Sequence, residues 1–445
     1  MLTREKVISV IGLGKLGLCM AACFASKGYT VIGVDIDEIK IDRVNKGVCP
    51  INETGLSELI KKYKNRIHAT YDYKFAIENS QVTFIVVATP SNEDGSYSNA
   101  QLEAACIEIA EVLKNKRGFH VISITSTVTP GTLDKLVKPL FERITNKRCG
   151  RDFGLAYNPE FIALGSVIKD FRNPDFILIG ESDKKTGDVL STLYRITCDN
   201  NPYFARMNFI NSEIAKLALN CYVTMKISFA NTLAEVCEKE PGANVDVITK
   251  AIGFDRRIGE KYLKGGLGFG GPCFPRDNRA FIAFAKDINS QAELSKTVDN
   301  INKHQLERIT SLIKKKIKKA TKVSILGLSY KPNTEIIEDS QSVDIASIIK
   351  ELGAEVFVYD PQANSITQRI YGSRFKYALS AKECLKNSKI CLITTAWDEF
   401  KKIKPTEFER LMRKDAILID CWRLYDKSKF KKINYVCLGL FNLGK

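Results

Sequence analysis

The chain has 445 residues, and an ordinary domain size of about 150 residues points to two or three domains. Hydrophobic residues make up 44% and charged residues 27%, which excludes wholesale disorder and a fibrous repeat. A net charge of +16, from 67 Lys and Arg against 51 Asp and Glu, raises nucleic acid as a partner. Its distribution argues against one: the densest run, Lys314 to Lys319, reads as a solvated helix end, and there is no zinc-finger spacing or RNA-recognition signature. An anionic small substrate or a phosphorylated cofactor accounts for a basic surface equally well.

Thirteen cysteines, an odd number without a CxxC pair, argue against a disulfide framework and a zinc ribbon, so no metal is expected and a reducing cytoplasm is the expected location. The longest apolar runs, such as Val82 to Ala88, fall far short of the ~18 residues a membrane span requires, so no membrane association is expected. The first residues lead straight into a strand, with no apolar stretch before a small-residue cleavage site, and secretion is not expected.

In chain order, residues 6 to 35 read as strand, glycine turn, helix and strand, with a helix from Lys15 to Lys27 closed by Gly28. Buried strands are predicted at Val82 to Ala88, His120 to Ile124, Gly154 to Tyr157 and Phe176 to Ile179, separated by helices, which implies a mostly parallel sheet covered on both faces. From about Asn211 the pattern becomes long amphipathic helices. Ser212 is a plausible N-cap, and Ile214, Leu217, Ala218, Cys221, Met225 and Phe229 form the predicted apolar face. A third segment opens with KVSILGLSYK, passes through a helix around Val343 to Leu352 and returns as EVFVYDP. It repeats the layout of the first segment, from glycine turn to terminal aspartate (Asp35 and Asp360), but without GxGxxG. The reading is α/β: two Rossmann-like domains with parallel-rich sheets joined by a central helical domain, with boundaries at 1–205, 206–305 and 306–445.

Gly12-Leu-Gly14-Lys-Leu-Gly17 follows a strand and opens a helix, the context in which this motif binds a dinucleotide pyrophosphate on backbone N–H groups. Asp35 ends the second strand, placed to accept hydrogen bonds from ribose hydroxyls and to repel a 2'-phosphate, so NAD is favoured over NADP; Lys40 nearby weakens that preference. Gly265 to Asp277 holds five glycines within seven residues, then Cys273. Loop backbone free of Cβ atoms suits close approach to a ligand, and a thiol beside Arg276 and loop N–H donors has a lowered pKa, making Cys273 a candidate nucleophile. The other twelve cysteines read as small buried hydrophobes. Glu160, after a predicted strand, sits where open α/β sheets bind ligands and is a candidate base, although a carboxylate there is by default a solvated loop residue. Lys216 and Asn220 share a helix face at i,i+4 spacing and could reach a site together, or be exposed.

With these motifs in place, the sequence resembles the UDP-glucose/GDP-mannose dehydrogenase family over essentially its full length. The matching blocks are VIGLGKLGL with VIGVDID, VVATP, TSTVTPGT, NPEFIALGSVIKDFRNPDFILIG, NSEIAKLALNCYVTMKISFAN, RRIGEKYLKGGLGFGGPCFPRD, and GLSYKP with YDP, TTAWDEF and DCWR. The resemblance implies oxidation of a nucleotide-sugar C6 alcohol to a carboxylate by two NAD-dependent hydride transfers, through a thiohemiacetal and a thioester on Cys273. It gives Lys216, Asp277 and Asn220 to the alcohol proton, a bound water and developing oxyanions, and Glu160 and Thr127 to the hydrolytic water. It places Lys15, Leu16, Lys40, Thr89, Pro90, Thr127 and Arg276 with the glycines and Asp35 at the cofactor. Phe161, Tyr262, Lys264, Phe269 and Gly270 join Lys216 and Asn220 at the substrate, Lys331 and Arg423 lie on its nucleotide side, and Arg257 reaches a neighbouring subunit's substrate in a homodimer or higher homo-oligomer formed through the central helical domain.

Three departures stand out. Leu164 replaces a second glutamate of the NPEFLxEG pattern, Glu338 replaces an arginine before Asp339-Ser340, and the proline of STVPxGT is displaced by one, to Pro130. UDP-glucose is the first expectation for the substrate, from the GFGGPCFPRD loop, with GDP-mannose and UDP-N-acetylhexosamines as alternatives. The further alternatives are a non-catalytic nucleotide-sugar or dinucleotide sensor and a two-electron hydroxy-acid dehydrogenase.

Overall fold

The apolar runs of the first segment form the strands of one sheet in a computed structural model that describes residues 7–441; the reading of Met1 to Lys6 as a direct entry into β1 lies outside the described residues. The strands are β1 (Val7–Ile11), β2 (Thr30–Val34), β3 (Ile67–Thr70), β4 (Val82–Ile85), β5 (Val121–Ile124), β6 (Gly154–Tyr157), β7 (Phe176–Glu181) and β8 (Tyr203–Met207), in the order β3-β2-β1-β4-β5-β6-β7-β8. All pairs are parallel except β6–β7. β4, β5 and β6 are buried throughout, which is why they read as continuous apolar runs rather than alternating ones. β3 and β8 lie at the sheet edges, and their mixed sequences IHAT and YFARM give no such run.

The chain divides into two compact units, one up to Ala218 and one from Leu219. In the first unit, two apolar clusters cover the two faces of the sheet. One is built on the helix Lys15–Ser26 around Phe24 and Phe84, the other on the helix Ala100–Asn115 around Phe141 and Phe153. The first helix ends one residue before the expected Lys27, and Gly28 adopts φ +93° as its terminator.

The second unit contains β9 (Lys322–Leu326), β10 (Glu355–Tyr359), β11 (Lys376–Tyr377), β12 (Ile390–Ile393), β13 (Ile417–Asp420) and β14 (Asn434–Cys437), all parallel, in the order β11-β10-β9-β12-β13-β14. That is the strand order of β3 through β6 repeated, so the duplication legible in the sequence is a duplication of topology. The predicted helix around Val343 runs from Gln341 to Glu351, with Gly353 at φ +89° beyond it.

The long helix Phe209–Lys239 departs from its sequence reading in two respects. Ser212 is not its N-cap: it lies within the first turn, where its hydroxyl donates to the Phe209 carbonyl at 2.7 Å, and the Asn208 side chain caps instead, accepting from the Asn211 N–H at 3.1 Å. The expected apolar face is also misplaced. Apart from Leu217 it is partly or fully exposed, with Phe229 51% exposed, while the buried positions include Ser212, Glu213, Lys216, Asn220, Thr224, Ser228 and Asn231. A 3.6-residue period locates a stripe but does not say whether the stripe faces the chain's own core or an external surface.

Candidate active site

In the first unit, the carboxyl ends of β1 and β2 build an anion cradle. Gly12 turns at φ +94° and donates to the Val34 carbonyl at 2.7 Å. A Cβ at Gly12 would lie 2.5 Å from the Val86 oxygen, and one at Gly17 would lie 1.9 Å from the Gly12 oxygen, so both glycines are fixed by packing. A Cβ at Gly14 would meet nothing within 4 Å: the middle glycine faces open space, as close approach of a pyrophosphate requires. Lys15, Leu16 and Gly17 form the first turn behind it, whose backbone N–H groups have no acceptor within the helix. Asp35 accepts from the Leu13 N–H (2.8 Å), the Asp37 N–H (3.0 Å) and the Lys40 ammonium (2.9 Å). Burial pushes its carboxyl upward, but these bonds outweigh burial and hold it below the ordinary carboxylate value, so it is ionised. The residues present fit a dinucleotide with a free 2'-hydroxyl. The Thr89 hydroxyl holds the Thr127 carbonyl at 2.7 Å, and Pro90 is exposed on the adjoining loop.

Also in the first unit, the loop after β6 carries a buried carboxyl. Glu160 is 9% exposed, and burial raises its pKa to about 7 against the opposing effects of Tyr194 and Lys216. The Tyr194 oxygen stands 2.7 Å from Glu160 Oε1 and 2.6 Å from Asn158 Oδ1. Lys216 donates to the Glu160 backbone carbonyl at 2.6 Å and lies 4.5 Å from the Phe161 ring centre. Lys216 is therefore a buried amine poised over the loop rather than an exposed one. Leu164 packs against the apolar cluster around Phe24, where a glutamate would have had to be desolvated. One turn before Lys216, the fully buried Glu213 accepts from the N–H groups of Gly131 (2.6 Å) and Leu133 (2.9 Å), pinning the loop that carries Thr127.

In the second unit, Cys273 is the N-terminal flanking residue of the helix Phe274–Asp287. It is the exposed member of the thirteen free cysteines; nine are buried and three half-buried, and burial drives the thiols of those twelve upward. One helical turn on, the buried Asp277 donates its N–H to the Cys273 carbonyl at 2.8 Å and accepts from the Asn220 amide at 2.6 Å. Cys273, Asp277 and Asn220 are thus brought together. Arg276 lies half-buried in the same turn.

The glycine loop before Cys273 differs from its reading as backbone left open for a ligand. A Cβ at Gly265, Gly266, Gly268, Gly270 or Gly271 would lie 2.7 Å from the Ala230 oxygen, 2.7 Å from the Trp422 ring, 2.2 Å from Asn302, 2.2 Å from the Asp339 oxygen and 2.6 Å from the Tyr330 ring, respectively. These glycines let the loop pack against its own unit. Side-chain amides fix it: Asn231 to Gly266 and Leu267, Asn302 to both backbone groups of Phe269, Gln341 to the Gly268 N–H and Gln305 to the Gly266 carbonyl. Arg423 adds a bond to the Gly265 carbonyl at 2.7 Å, and gives its other bonds to Asp246 and the Leu438 carbonyl.

The remaining expected contacts are spread more widely. Tyr262 and Phe269 both stand edge-on to Phe274, Tyr262 half-exposed and Phe269 buried. Lys264 is exposed, Lys331 lies half-buried beside the Tyr330 ring, and Arg257 is exposed and paired with Asp255 at 2.6 Å. Glu338 gives its carbonyl to the Gly271 N–H.

Three family models match in succession: the UDP-glucose/GDP-mannose dehydrogenase family NAD binding domain at residues 6–198, its central domain at 210–304 and its UDP binding domain at 324–427. The chain belongs to the UDP-glucose/GDP-mannose dehydrogenase family. Members of this family in the curated set include UDP-glucose 6-dehydrogenase AglM of Haloferax volcanii, 34% identical over 426 residues that cover 95% of this chain and 98% of that protein. GDP-mannose 6-dehydrogenase of Pseudomonas aeruginosa is 33% identical over 374 residues, 83% of this chain and 84% of that one. Among solved structures, a UDP-glucose dehydrogenase from Pyrobaculum islandicum superposes with a TM-score of 0.89 at 30% identity, over 98% of this chain and 99% of that chain. The chain is accordingly an NAD-dependent nucleotide-sugar 6-dehydrogenase with an NAD-binding Rossmann-like domain at its N-terminal end. Among the described residues no helix is long and apolar enough to cross a membrane.

Proposed function

We propose that this dehydrogenase converts UDP-glucose to UDP-glucuronate in two successive oxidations, with Cys273 carrying the sugar between them. The exposure of this one thiol, set beside Asp277 and Asn220 while the other twelve are wholly or partly buried, carries the reading. Gly12, Gly14, Lys15, Leu16, Gly17, Asp35 and Lys40, with Thr89, Pro90, Thr127 and Arg276 alongside, would hold NAD, which when bound would supply the hydride acceptor for C6 in each oxidation. In the first, Lys216 and Asp277, through a bound water, take the alcohol proton. The Cys273 thiol then adds to the aldehyde carbon, its proton passing to the carbonyl oxygen, and the resulting hemithioacetal loses that proton and a second hydride to give a thioester. Lys216 and Asn220 donate to the developing oxyanion. Glu160, with Thr127, activates the water that cleaves the thioester, releasing carboxylate and thiolate.

Phe161, Tyr262, Lys264, Phe269 and Gly270 line the sugar side and Lys331 the nucleotide side; Arg423 serves them by holding the loop through Gly265. The organisation follows the three segments 1–205, 206–305 and 306–445. Two copies pair through the central helices, presenting Arg257 to each other's substrate. Tyr222, Phe229 and Val236, at seven-residue spacing on one long helix and each more than half exposed, support that pairing. GDP-mannose is the second reading, supported by the similarity to the Pseudomonas aeruginosa protein.

The test is a panel of UDP-glucose, GDP-mannose and UDP-N-acetylhexosamines assayed for NADH. Two NADH per acid formed, fastest with UDP-glucose, are expected, and Cys273→Ser should abolish acid formation while NAD still binds. Full turnover by Cys273→Ser would refute the covalent role.

A further inference from the structure

Tyr194, which the reaction scheme does not use, is a fully buried phenol at the end of the helix Lys184–Thr197, in edge and tilted contact with Phe84 and Phe171. Its oxygen lies 2.6 Å from Asn158 Oδ1 and 2.7 Å from Glu160 Oε1. The amide orientation is fixed, because Asn158 Nδ2 donates to the Leu178 carbonyl at 2.8 Å, which leaves its oxygen facing the phenol. Burial holds the phenol protonated, its pKa well above 10. One hydroxyl hydrogen cannot serve two acceptors at these distances, so the second contact is a bond only when the other partner brings its own hydrogen. Of the two, only Glu160 can do so.

We propose that Tyr194 is a positioning residue that poises Glu160 for proton exchange: its single hydrogen points to Asn158 while the glutamate is protonated, and turns to Glu160 when the glutamate ionises. In the first state Glu160 donates to the phenol oxygen and the phenol donates to the amide, a complete chain ending on the Leu178 carbonyl. In the second the phenol gives a charge-assisted bond to the carboxylate, and the Asn158 oxygen loses its partner. Each state therefore keeps one strong bond to Tyr194, and the carboxyl can take a proton from water and return it without leaving its place. The other ionisable groups that act on or are acted on by Glu160 are Lys216, which donates to its backbone carbonyl, and the buried thiols of Cys23 and Cys198. Both thiols are held neutral by burial.

This deepens the reading of Glu160 as the group that activates the hydrolytic water and rests on it. Tyr194→Phe keeps the ring packing and removes only the hydroxyl. The variant removes two neutral bonds from the protonated state and one charge-assisted bond from the ionised state, and because a buried charge left without a donor costs more than neutral groups left unpaired, the Glu160 pKa should rise, moving the acid limb of the rate of acid formation up by about one pH unit and cutting the rate below that limb about tenfold. KM for the nucleotide sugar and for NAD should not change. An unmoved limb, or one moved downward, overturns the proposal. So does the same displacement when Tyr194→Phe is made in a Glu160→Gln protein. A second readout needs no turnover: the infrared band of the protonated carboxyl, identified by its loss in Glu160→Gln, should titrate at higher pH in Tyr194→Phe. If Glu160→Gln turns over normally, the catalytic reading of Glu160 fails, while the infrared titration still decides whether Tyr194 and Glu160 are coupled; an unshifted band refutes the coupling.

Discussion

Glu213 offers a prediction of stability that can be worked from one side chain. Its carboxyl is fully buried, and burial raises its pKa from 4.5 to about 7, against the downward pull of the Leu133 and Gly131 N–H groups. At about 1.36 kcal/mol for each pH unit, that rise corresponds to about 3 kcal/mol. A carboxyl whose folded pKa lies above its unfolded one contributes fully below the unfolded value of 4.5, and the contribution is lost as pH rises through 7. Glu213→Gln stays neutral throughout. It keeps one oxygen for two N–H groups, so it should be less stable than wild type in acid, by about 1–3 kcal/mol for the N–H left facing an amide donor. Between about pH 5 and pH 8 the variant should then gain about 3 kcal/mol relative to wild type, because it escapes the cost of burying a charge. Glu160 titrates in the same range, but in both proteins alike, and cancels from the difference. Urea unfolding followed by circular dichroism at a series of pH values measures that difference. Parallel curves for the two proteins would show that Glu213 does not titrate in the folded state and would refute the argument.

Three further outcomes are expected. A thiol reagent added to the native protein should label Cys273 rapidly and the other twelve cysteines only on unfolding; rapid labelling of several sites in Cys273→Ser would contradict the burial pattern. Gly14→Ala and Gly266→Ala should separate binding from folding. The first adds a Cβ where nothing stands within 4 Å and should weaken NAD binding at least about tenfold by calorimetry with an unchanged melting temperature, whereas the second drives a Cβ to 2.7 Å from the Trp422 ring and should cost about 1–3 kcal/mol of stability. On the proposed placement of Asp35 at the ribose, Asp35→Asn removes a negative charge there and should narrow the preference for NAD over NADP by about tenfold in kcat/KM, an unchanged ratio arguing that Asp35 does not face the ribose.

What was legible in the sequence is what local chemistry dictates. The β1 turn, Asp35, the continuous apolar strands and the Cys273 loop each carry their own signal within a few residues, although β4 ends at Ile85 rather than Ala88 and the glycines before Cys273 are packed rather than open. Edge strands β3 and β8 were not legible because a strand paired on one side does not need an apolar run. The face of the long helix was misread because its buried positions hold polar side chains with long-range partners, such as Asn220 with Asp277, Thr224 with Asn278 and Asn231 with Gly266. Glu213, Tyr194, Asn302 and Gln341 were missed for the same reason. Their partners are distant in sequence, and an isolated polar residue in a helix reads as solvated; the one available hint was Glu213 in the block NSEIAK, three residues before Lys216.

Only one copy of the duplicated domain keeps a dinucleotide fingerprint: the second lacks two of the three glycines and lengthens the turn before its helix, and one of these differences can be followed residue by residue. Both copies fasten the glycine turn alike: Gly12 donates to Val34 and Leu13 to Asp35 Oδ2, as Gly327 donates to Tyr359 and Leu328 to Asp360 Oδ2, both aspartate bonds at 2.8 Å. The strand-end aspartate is thus a fastener of the turn before it is a ligand for ribose. A carboxylate offers about four lone-pair sites. Asp35 receives hydrogen bonds from Leu13, Asp37 and Lys40, which leaves acceptor capacity for a ribose hydroxyl. Asp360 receives the N–H groups of Leu328, Ser329, Gln362 and Ala363, the Ser329 hydroxyl and the Trp397 indole, more donors than it has sites. Ser329 stands where Gly14 stands in the first copy. Its side chain turns inward to the aspartate and takes up acceptor capacity that a ribose would need, while the strand order of the two copies stays the same.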